Sequence, residues 1–242
     1  MSARFAELDW CPTPMGELVL RRRWDPAFGK EVYEIKLGEE FLMSSLFTVA
    51  ELELGRRPLA ELEGTALEVA VGGLGLGYTA QAVLENPNVA SLVVVDALAE
   101  VIGWHERGLI PAGASLTADP RCSLVHGDFF AMLRSPEGLD PATPGRTFDA
   151  VLVDIDHSPR HVLHPDHAGF YQPAGLARLG EHLRPGGVFA LWSNDPPDEN
   201  FLAVLAGCFA EARSDVVSFD NPLQHRAATA TLYLARAGGP QA

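Results

Sequence analysis

The chain has 242 residues, and its composition, 47% hydrophobic and 21% charged, is that of a globular protein and excludes a disordered one. Eighteen lysines and arginines against 32 aspartates and glutamates give a formal net charge of −14, and a negative field repels the phosphates of nucleic acids. No run of 18 apolar residues is present to span a membrane, and the first residues lack the basic and then apolar plan of a signal peptide. We therefore expect a cytoplasmic protein without a nucleic-acid or membrane partner.

The first part of the chain, residues 1–60, predicts a small β-rich head. Its three candidate strands, separated by turn residues, cover 17–23, 31–37 and 40–43. A short helix follows over 46–55, with Gly55 as its stop signal. Short strands with apolar residues and open edges need a cover, so we expect this head to be packed against something else.

The remainder, residues 61–242, predicts a larger unit in which strands and helices alternate. The candidate strands are seven apolar runs over 67–72, 91–96, 122–128, 148–154, 187–193, 214–219 and 229–235. Candidate helices cover 78–85, 97–106, 173–183 and 198–212. Apolar runs without alternation are typical of a parallel sheet with helices on both faces. The last two strands are joined by about nine residues, too few for a parallel crossover, so we expect an antiparallel hairpin there.

Polar residues follow the first five of these strands, at the points where ligands collect in open α/β sheets. A glycine loop over 72–77 comes after the first, and Asp96, Asp128 and Asp154 end the next three. The loop lacks the GxGxxG fingerprint of dinucleotide-binding proteins, because Tyr78 stands where the last glycine would be. A carboxylate at Asp96 can accept both hydroxyls of a ribose. The pattern therefore predicts a nucleoside-containing cofactor.

The GxGxG of the loop and the Leu183-Arg184-Pro185-Gly186-Gly187 segment resemble motifs of methyltransferases that use S-adenosylmethionine (SAM). Seven strands that end in a hairpin resemble the class I sheet of that superfamily. Within it, nearly the whole chain, head included, resembles the spermidine synthase (polyamine aminopropyltransferase) family. The resemblance implies a Rossmann-like α/β fold and S-adenosyl-L-methionine or decarboxylated S-adenosylmethionine as the cofactor. The implied cofactor-binding residues are Gly72, Gly73, Gly75, Gly77, Asp96, Ala97, Gly127, Asp128, Phe129 and Asp154.

The same resemblance implies the catalytic groups. Asp154 resembles the family's catalytic aspartate after the fourth strand, and Phe170-Tyr171 resembles the pair before its next helix. Transfer from a sulfonium is an in-line displacement that needs a positioned nucleophile and an acceptor for its proton. Asp154 would supply that acceptor. Tyr171 would share the task by hydrogen bonding, with a packing role at the start of the next helix as the alternative.

The chain also departs from the family pattern. Gly75 stands in the loop where the family has an aspartate that holds the donor's amine, and His157 stands where a second, polyamine-binding aspartate is expected. These departures favour a spermidine-synthase-like methyltransferase that acts on a small molecule, with polyamine aminopropyl transfer as the alternative. They also predict that SAM binds more tightly than its decarboxylated form. The predicted substrate-binding residues are Asp156, His157, Asn194 and Asp195.

Half of the eight histidines lie between His157 and His167. Pro159 and Pro165 indicate a loop rather than a helix here, so we interpret these histidines as pocket or lid residues and predict no metal site. A nicotinamide-dependent oxidoreductase, and a binding protein that has lost turnover, remain open as alternative functions. Because spermidine synthases are oligomers joined partly through the head, the resemblance also implies a homodimer.

Overall fold

The computed structural model describes residues 5–222 and 226–239. The head is a four-stranded antiparallel sheet in which each strand pairs with the next along the chain. Its strands are β1 (Phe5–Thr13), β2 (Gly16–Asp25), β3 (Lys30–Leu37) and β4 (Glu40–Ser44). The sequence predicts only the last three. β1 lacks a buried, regularly alternating face, and a register shift between Glu7 and Asp9 breaks its pairing with β2, so its pattern carries a weak strand signal.

The larger sheet has seven strands, and all seven predicted strands are confirmed. They are β5 (Leu67–Gly72), β6 (Val89–Asp96), β7 (Cys122–His126), β8 (Phe148–Val153), β9 (Leu183–Ser193), β10 (Glu211–Asn221) and β11 (Arg226–Arg236). Their order is β10-β11-β9-β8-β5-β6-β7. Every pairing between two strands of the set β5 to β9 is parallel, whereas β11 is antiparallel to both β9 and β10. The predicted terminal hairpin and the Rossmann-like α/β fold class are therefore confirmed.

Seven α-helices and one 3₁₀-helix (Pro165–Gly169) connect the described strands. The α-helices are α1 (Val49–Ala60), α2 (Tyr78–Leu84), α3 (Ala99–Glu106), α4 (Gly113–Ala118), α5 (Phe129–Arg134), α6 (Pro173–Gly180) and α7 (Glu199–Cys208). The predicted end of the first helix at Gly55 is wrong, because α1 continues to Ala60. A Cβ at Gly55 would lie 2.5 Å from the Cβ of Ala82 in α2. This glycine therefore allows two helices to approach closely and is not a stop signal.

The head and the larger sheet share one hydrophobic core. Leu18, Leu20 and Ile35 of the head pack in the same cluster as Leu54 of α1 and Val69 of β5. Helix α1, which the sequence analysis assigns to the head, contacts α2, β9 and β11 of the larger unit. The division of the chain at residue 60 stays a prediction. In the part of the chain that the structure describes, no helix is long and apolar enough to cross a membrane.

Candidate active site

A cavity of about 340 Å³ lies at the carboxyl ends of the central parallel strands, beneath the head. Its size is within the range of small-molecule sites. The sheet contributes residues that follow β5, β6, β7 and β8, and the head contributes apolar side chains from β3 and β4. The position agrees with the rule that ligands bind where the strand order of an open α/β sheet reverses, here between β5 and β8.

The glycine loop after β5 is pressed against the end of β8. Gly73 has a φ of 94°, and a Cβ on it would overlap the main-chain oxygen of Asp154. Only glycine combines this left-handed backbone with so close an approach. The main-chain N–H of Asp154 donates to the oxygen of Gly72 at 2.8 Å. These contacts bring the loop and the Asp154 carboxyl to the same side of the cavity.

Asp96, at the end of β6, is held by main-chain groups on both of its oxygens. Oδ2 accepts from the N–H of Leu74 at 2.9 Å, and Oδ1 accepts from the N–H of Leu98 at 2.8 Å. Burial raises the pKa of Asp96, and these hydrogen bonds oppose that rise. Each carboxylate oxygen keeps a further lone pair. The side chain lines the cavity and can accept hydroxyl groups of a ligand.

Asp154 lines the cavity beside a second acid, Glu51, which sequence reasoning missed. The hydroxyl of Thr79 donates to Oδ2 of Asp154 at 2.7 Å. Burial raises the pKa of Asp154 to about 6, and burial together with the charge of Asp154 raises the pKa of Glu51 to about 8. Glu51 could have been noticed as an acid next to Ala50 and near Leu54, both buried residues of α1. The two carboxyls can bind a cation or accept a proton.

Met43 of β4 occupies the space next to Gly75, a contact that the sequence did not predict. Its sulfur accepts a hydrogen bond from the N–H of Leu76 at 2.9 Å, and a Cβ on Gly75 would overlap it. On the other side of the loop, Nε2 of His105 lies 2.9 Å from the Gly75 oxygen. Burial lowers the pKa of His105, so the neutral ring donates through Nε2. The side chain of Met43 therefore lies where an acid on the loop would project.

No family model matches the chain. It is 29% identical, over 157 residues, to polyamine aminopropyltransferase 2 of Pseudomonas aeruginosa; the match covers 61% of this chain and 41% of that protein. The matched part thus spans about two fifths of this curated relative.

Solved structures resemble almost the whole chain. Spermidine synthase in complex with the transition state analogue AdoDATO superposes with a TM-score of 0.72 and 15% identity, over 96% of this chain and 74% of that one. Spermidine synthase from Thermotoga maritima superposes with a TM-score of 0.71 and 15% identity, over 96% of this chain and 73% of that one. A probable spermidine synthase from Corynebacterium glutamicum superposes with a TM-score of 0.62 and 14% identity, over 96% of this chain and 79% of that one. The chain has the spermidine synthase fold. The resemblance inferred from the loop and strand-end motifs is confirmed.

Within this spermidine synthase fold, the predicted cofactor-binding residues fall into two groups. The cavity is lined by Gly73, Gly75, Asp96, Ala97, Asp128, Phe129 and Asp154. The second group does not line the cavity, and each of its glycines permits close packing against a neighbouring side chain. It consists of Gly72, Gly77 and Gly127. A Cβ on Gly72 would lie 2.7 Å from the ring of Phe129, one on Gly77 2.8 Å from Leu116, and one on Gly127 2.5 Å from the sulfur of Met132. These three glycines therefore shape the site from outside it.

Tyr171 is not beside Asp154, contrary to the role predicted for it. Its hydroxyl donates to Oδ2 of Asp156 at 2.7 Å, and it is buried away from the cavity. Burial and the nearby charge of Asp156 raise the pKa of Tyr171 well above its ordinary value. Asp156 also accepts from the N–H of Leu163 at 2.7 Å and lies 2.8 Å from Nδ1 of His167. The Tyr171 hydroxyl is thus bonded to the carboxylate of Asp156 and not to that of Asp154. Tyr171 and Asp156 together stabilise the loop over residues 156–167.

Of the predicted substrate-binding residues, His157 alone lines the cavity, and its Nε2 lies 3.5 Å from Oε2 of Glu40 in β4. Asp156 is buried beneath the loop. The N–H of Asn194 donates to the main-chain oxygen of His157 at 2.8 Å, and Asp195 accepts from the hydroxyl of Ser158 at 2.6 Å. Asn194 and Asp195 therefore support the loop from behind. Among residues 5–222 and 226–239, no group of histidine, cysteine and acidic side chains is arranged to hold a metal ion.

Proposed function

We propose that this protein transfers an aminopropyl group from decarboxylated S-adenosylmethionine to an amine. The observation that supports this proposal is the half-buried acid pair, Glu51 and Asp154, beside the glycine loop in a cavity whose described lining includes no lysine or arginine. An amine reaches such a site as an ammonium ion, and it must lose a proton before it can act as a nucleophile. The pair can bind that charge and accept that proton. The names of the relatives above support the same reaction.

In this reaction the donor's ribose would lie at Asp96, whose two oxygens are already oriented by main-chain N–H groups. Asp154 would accept the proton of the attacking amine. The nitrogen lone pair then bonds to the methylene carbon next to the sulfonium, and the carbon–sulfur bond breaks with its electron pair going to sulfur. Holding nucleophile and carbon in line within one cavity is a large part of the catalysis.

The sequence analysis favoured methyl transfer from SAM, and none of the relatives named above is called a methyltransferase. Aminopropyl transfer, its stated alternative, is therefore the preferred proposal. One observation keeps methyl transfer as a second candidate. Met43 fills the space beside Gly75, so the loop offers no acid to hold the amine of a decarboxylated donor.

Incubation of the pure protein with each donor and a panel of primary amines, putrescine included, separates these candidates. We expect methylthioadenosine and an aminopropylated amine from the decarboxylated donor, identified by mass spectrometry. S-adenosylhomocysteine from SAM would replace this proposal by methyl transfer, and the absence of any product would contradict both. Asp154→Asn is the matched variant. It should lose turnover and keep donor affinity within a few-fold, because Asp154 acts on the proton of the acceptor.

A further inference from the structure

Glu51 and Asp154 come from distant parts of the chain, and both line the cavity. Thr79 lies between them, since its hydroxyl donates to Asp154 at 2.7 Å and lies 3.4 Å from the main-chain oxygen of Glu51. Within the described residues, no other side chain donates a hydrogen bond to the Glu51 carboxyl or to Oδ1 of Asp154. The two acids therefore face the cavity with most of their acceptor capacity unused.

The surroundings of the pair lack a permanent positive charge. Within residues 5–222 and 226–239, the ionisable side chains that line the cavity around them are Tyr78, Asp96, Asp128, His157, His164, Asp166 and His167. Burial raises the pKa of Tyr78, which keeps it neutral. On the far side of α1, Arg57 pairs with Glu53 and with Asp215 of β10 instead. The cation that would balance two half-buried carboxylates must therefore come from the ligand.

The two acids also titrate as a pair. Their pKa values lie at about 8 for Glu51 and about 6 for Asp154, because partial burial desolvates both carboxyls and the charge of Asp154 disfavours a second charge on Glu51. The hydroxyl hydrogen bond from Thr79 favours the ionised form of Asp154. Near pH 7 the two carboxyls thus hold about one proton between them before any amine binds, and Glu51 carries most of it.

We propose that Glu51 is a catalytic residue that shares one proton with Asp154, and that the pair releases this proton to water when it binds the ammonium group of the acceptor. This inference rests on the proposed function, because it requires an amine acceptor. The bound ammonium later returns one proton to the pair and becomes a neutral amine. Its lone pair then forms the new carbon–nitrogen bond, and the sulfur leaves as a neutral thioether. The pair therefore ends the cycle with its proton restored.

Carbon-13 NMR titration of the side-chain carboxyls tests the pair without any ligand. In the wild type we expect one carboxyl that titrates near pH 8 and is absent from Glu51→Gln. In Asp154→Asn the pKa of Glu51 should fall, because Glu51 loses the charge of its neighbour, whereas in Glu51→Gln the pKa of Asp154 should stay near its wild-type value, because Glu51 is already neutral when Asp154 titrates. If Glu51 keeps its wild-type pKa in Asp154→Asn, the two groups titrate independently and the pair does not exist. Circular dichroism checks that the nearly isosteric variants are folded.

Proton release is measured by calorimetry at pH 7 with putrescine in two buffers of different ionisation enthalpy. We expect about one proton released per amine bound to the wild type and much less than half for Glu51→Gln. Glu53→Gln, on the same helix but outside the cavity, is the matched control and should behave as the wild type. Binding without release, or no binding at all, would overturn the inference. Formation of methylthioadenosine tests the proposed function separately. Turnover without proton release would support aminopropyl transfer and contradict only the proposal that Glu51 and Asp154 share a proton.

Discussion

Asp96 illustrates how one side chain can serve both the fold and the ligand. Its two oxygens hold the glycine loop and the start of the next segment through Leu74 and Leu98, and the same oxygens face the cavity. We expect Asp96→Ala to weaken donor binding by about 1.5–3 kcal/mol, the usual cost of losing a charge-assisted hydrogen bond. Isothermal titration calorimetry measures this change. The control is Asp119→Ala, at a half-buried ion pair with Arg121 outside the cavity. Unchanged affinity in Asp96→Ala would refute the ribose assignment.

Which site residues could be predicted depended on where they lie along the chain. Asp96, Asp128 and Asp154 were found because each stands at the end of an apolar strand, and parallel strands bring such ends to one edge. Glu51 and Met43 escaped notice because they come from elements before the sheet. Only tertiary packing places them at that edge, and the one local sign was that Glu51 stands next to Ala50 and near Leu54 in α1.

At the scale of whole elements, helix α1 is held against α2 by the contact at Gly55. A Cβ there would meet the Ala82 Cβ at 2.5 Å and the Thr79 main-chain oxygen at 2.8 Å. We expect Gly55→Ala to destabilise the protein by about 1–3 kcal/mol, as overpacking does, even though alanine has the higher helix propensity. Because α1 carries Glu51, turnover should fall as well.

Denaturant unfolding of matched variants checks this expectation. Gly207 lies in α7, and nothing lies within 4 Å of a Cβ built on it. Gly207→Ala should therefore be neutral or stabilise by up to about 1 kcal/mol. Equal effects of the two substitutions would show that propensity outweighs packing at Gly55. The comparison also explains why the end of α1 was wrongly predicted at Gly55. A glycine that ends a helix and a glycine that allows close packing cannot be distinguished from the sequence.

At the scale of the whole molecule, the stability of the unliganded protein should depend on pH through the two half-buried acids of the cavity, Glu51 and Asp154. The folded state raises the pKa of Glu51 to about 8 and that of Asp154 to about 6, so it binds more protons than the unfolded chain. The free energy of unfolding must then fall as pH rises through these values. Between pH 7 and 9 the change belongs mainly to Glu51, and it should be on the order of 1–2 kcal/mol.

Unfolding in denaturant at several pH values between 7 and 9 tests this slope. We expect Glu51→Gln to flatten it, because the variant has no carboxyl that titrates in this range. Buried His105, whose pKa is lowered, acts with the opposite sign. Its contribution is present above its unfolded pKa of about 6.5 and is lost only as pH falls below that value. A slope that is the same in both proteins would contradict the high pKa of Glu51.

The outer surface of the head supports the proposal of a homodimer. Phe5, Trp10, Trp24 and Phe41 are each more than 40% exposed, and the Arg21 guanidinium lies about 6 Å from two of these rings, Phe5 and Phe41. Exposed aromatic and arginine side chains are enriched at protein interfaces. We expect light scattering to give twice the chain mass of 26.0 kDa, and Phe41→Glu to shift the mass toward the monomer. A monomer at micromolar concentration in the wild type would contradict the proposal.

The neighbour relation of β5 and β8 also bears on the order in which the chain folds. The head strands and the β10–β11 hairpin pair with sequence neighbours, whereas Val69 in β5 lies beside Ala150 in β8. Closing so long a loop costs entropy before any contact is gained, so this pairing should form late. Asp154 directly follows β8, and its N–H bonds to Gly72 only once the two strands are adjacent. In pulsed hydrogen exchange, we therefore expect that amide to become protected after those of the hairpin, so that a nascent chain acquires its ligand cavity in the last steps of folding.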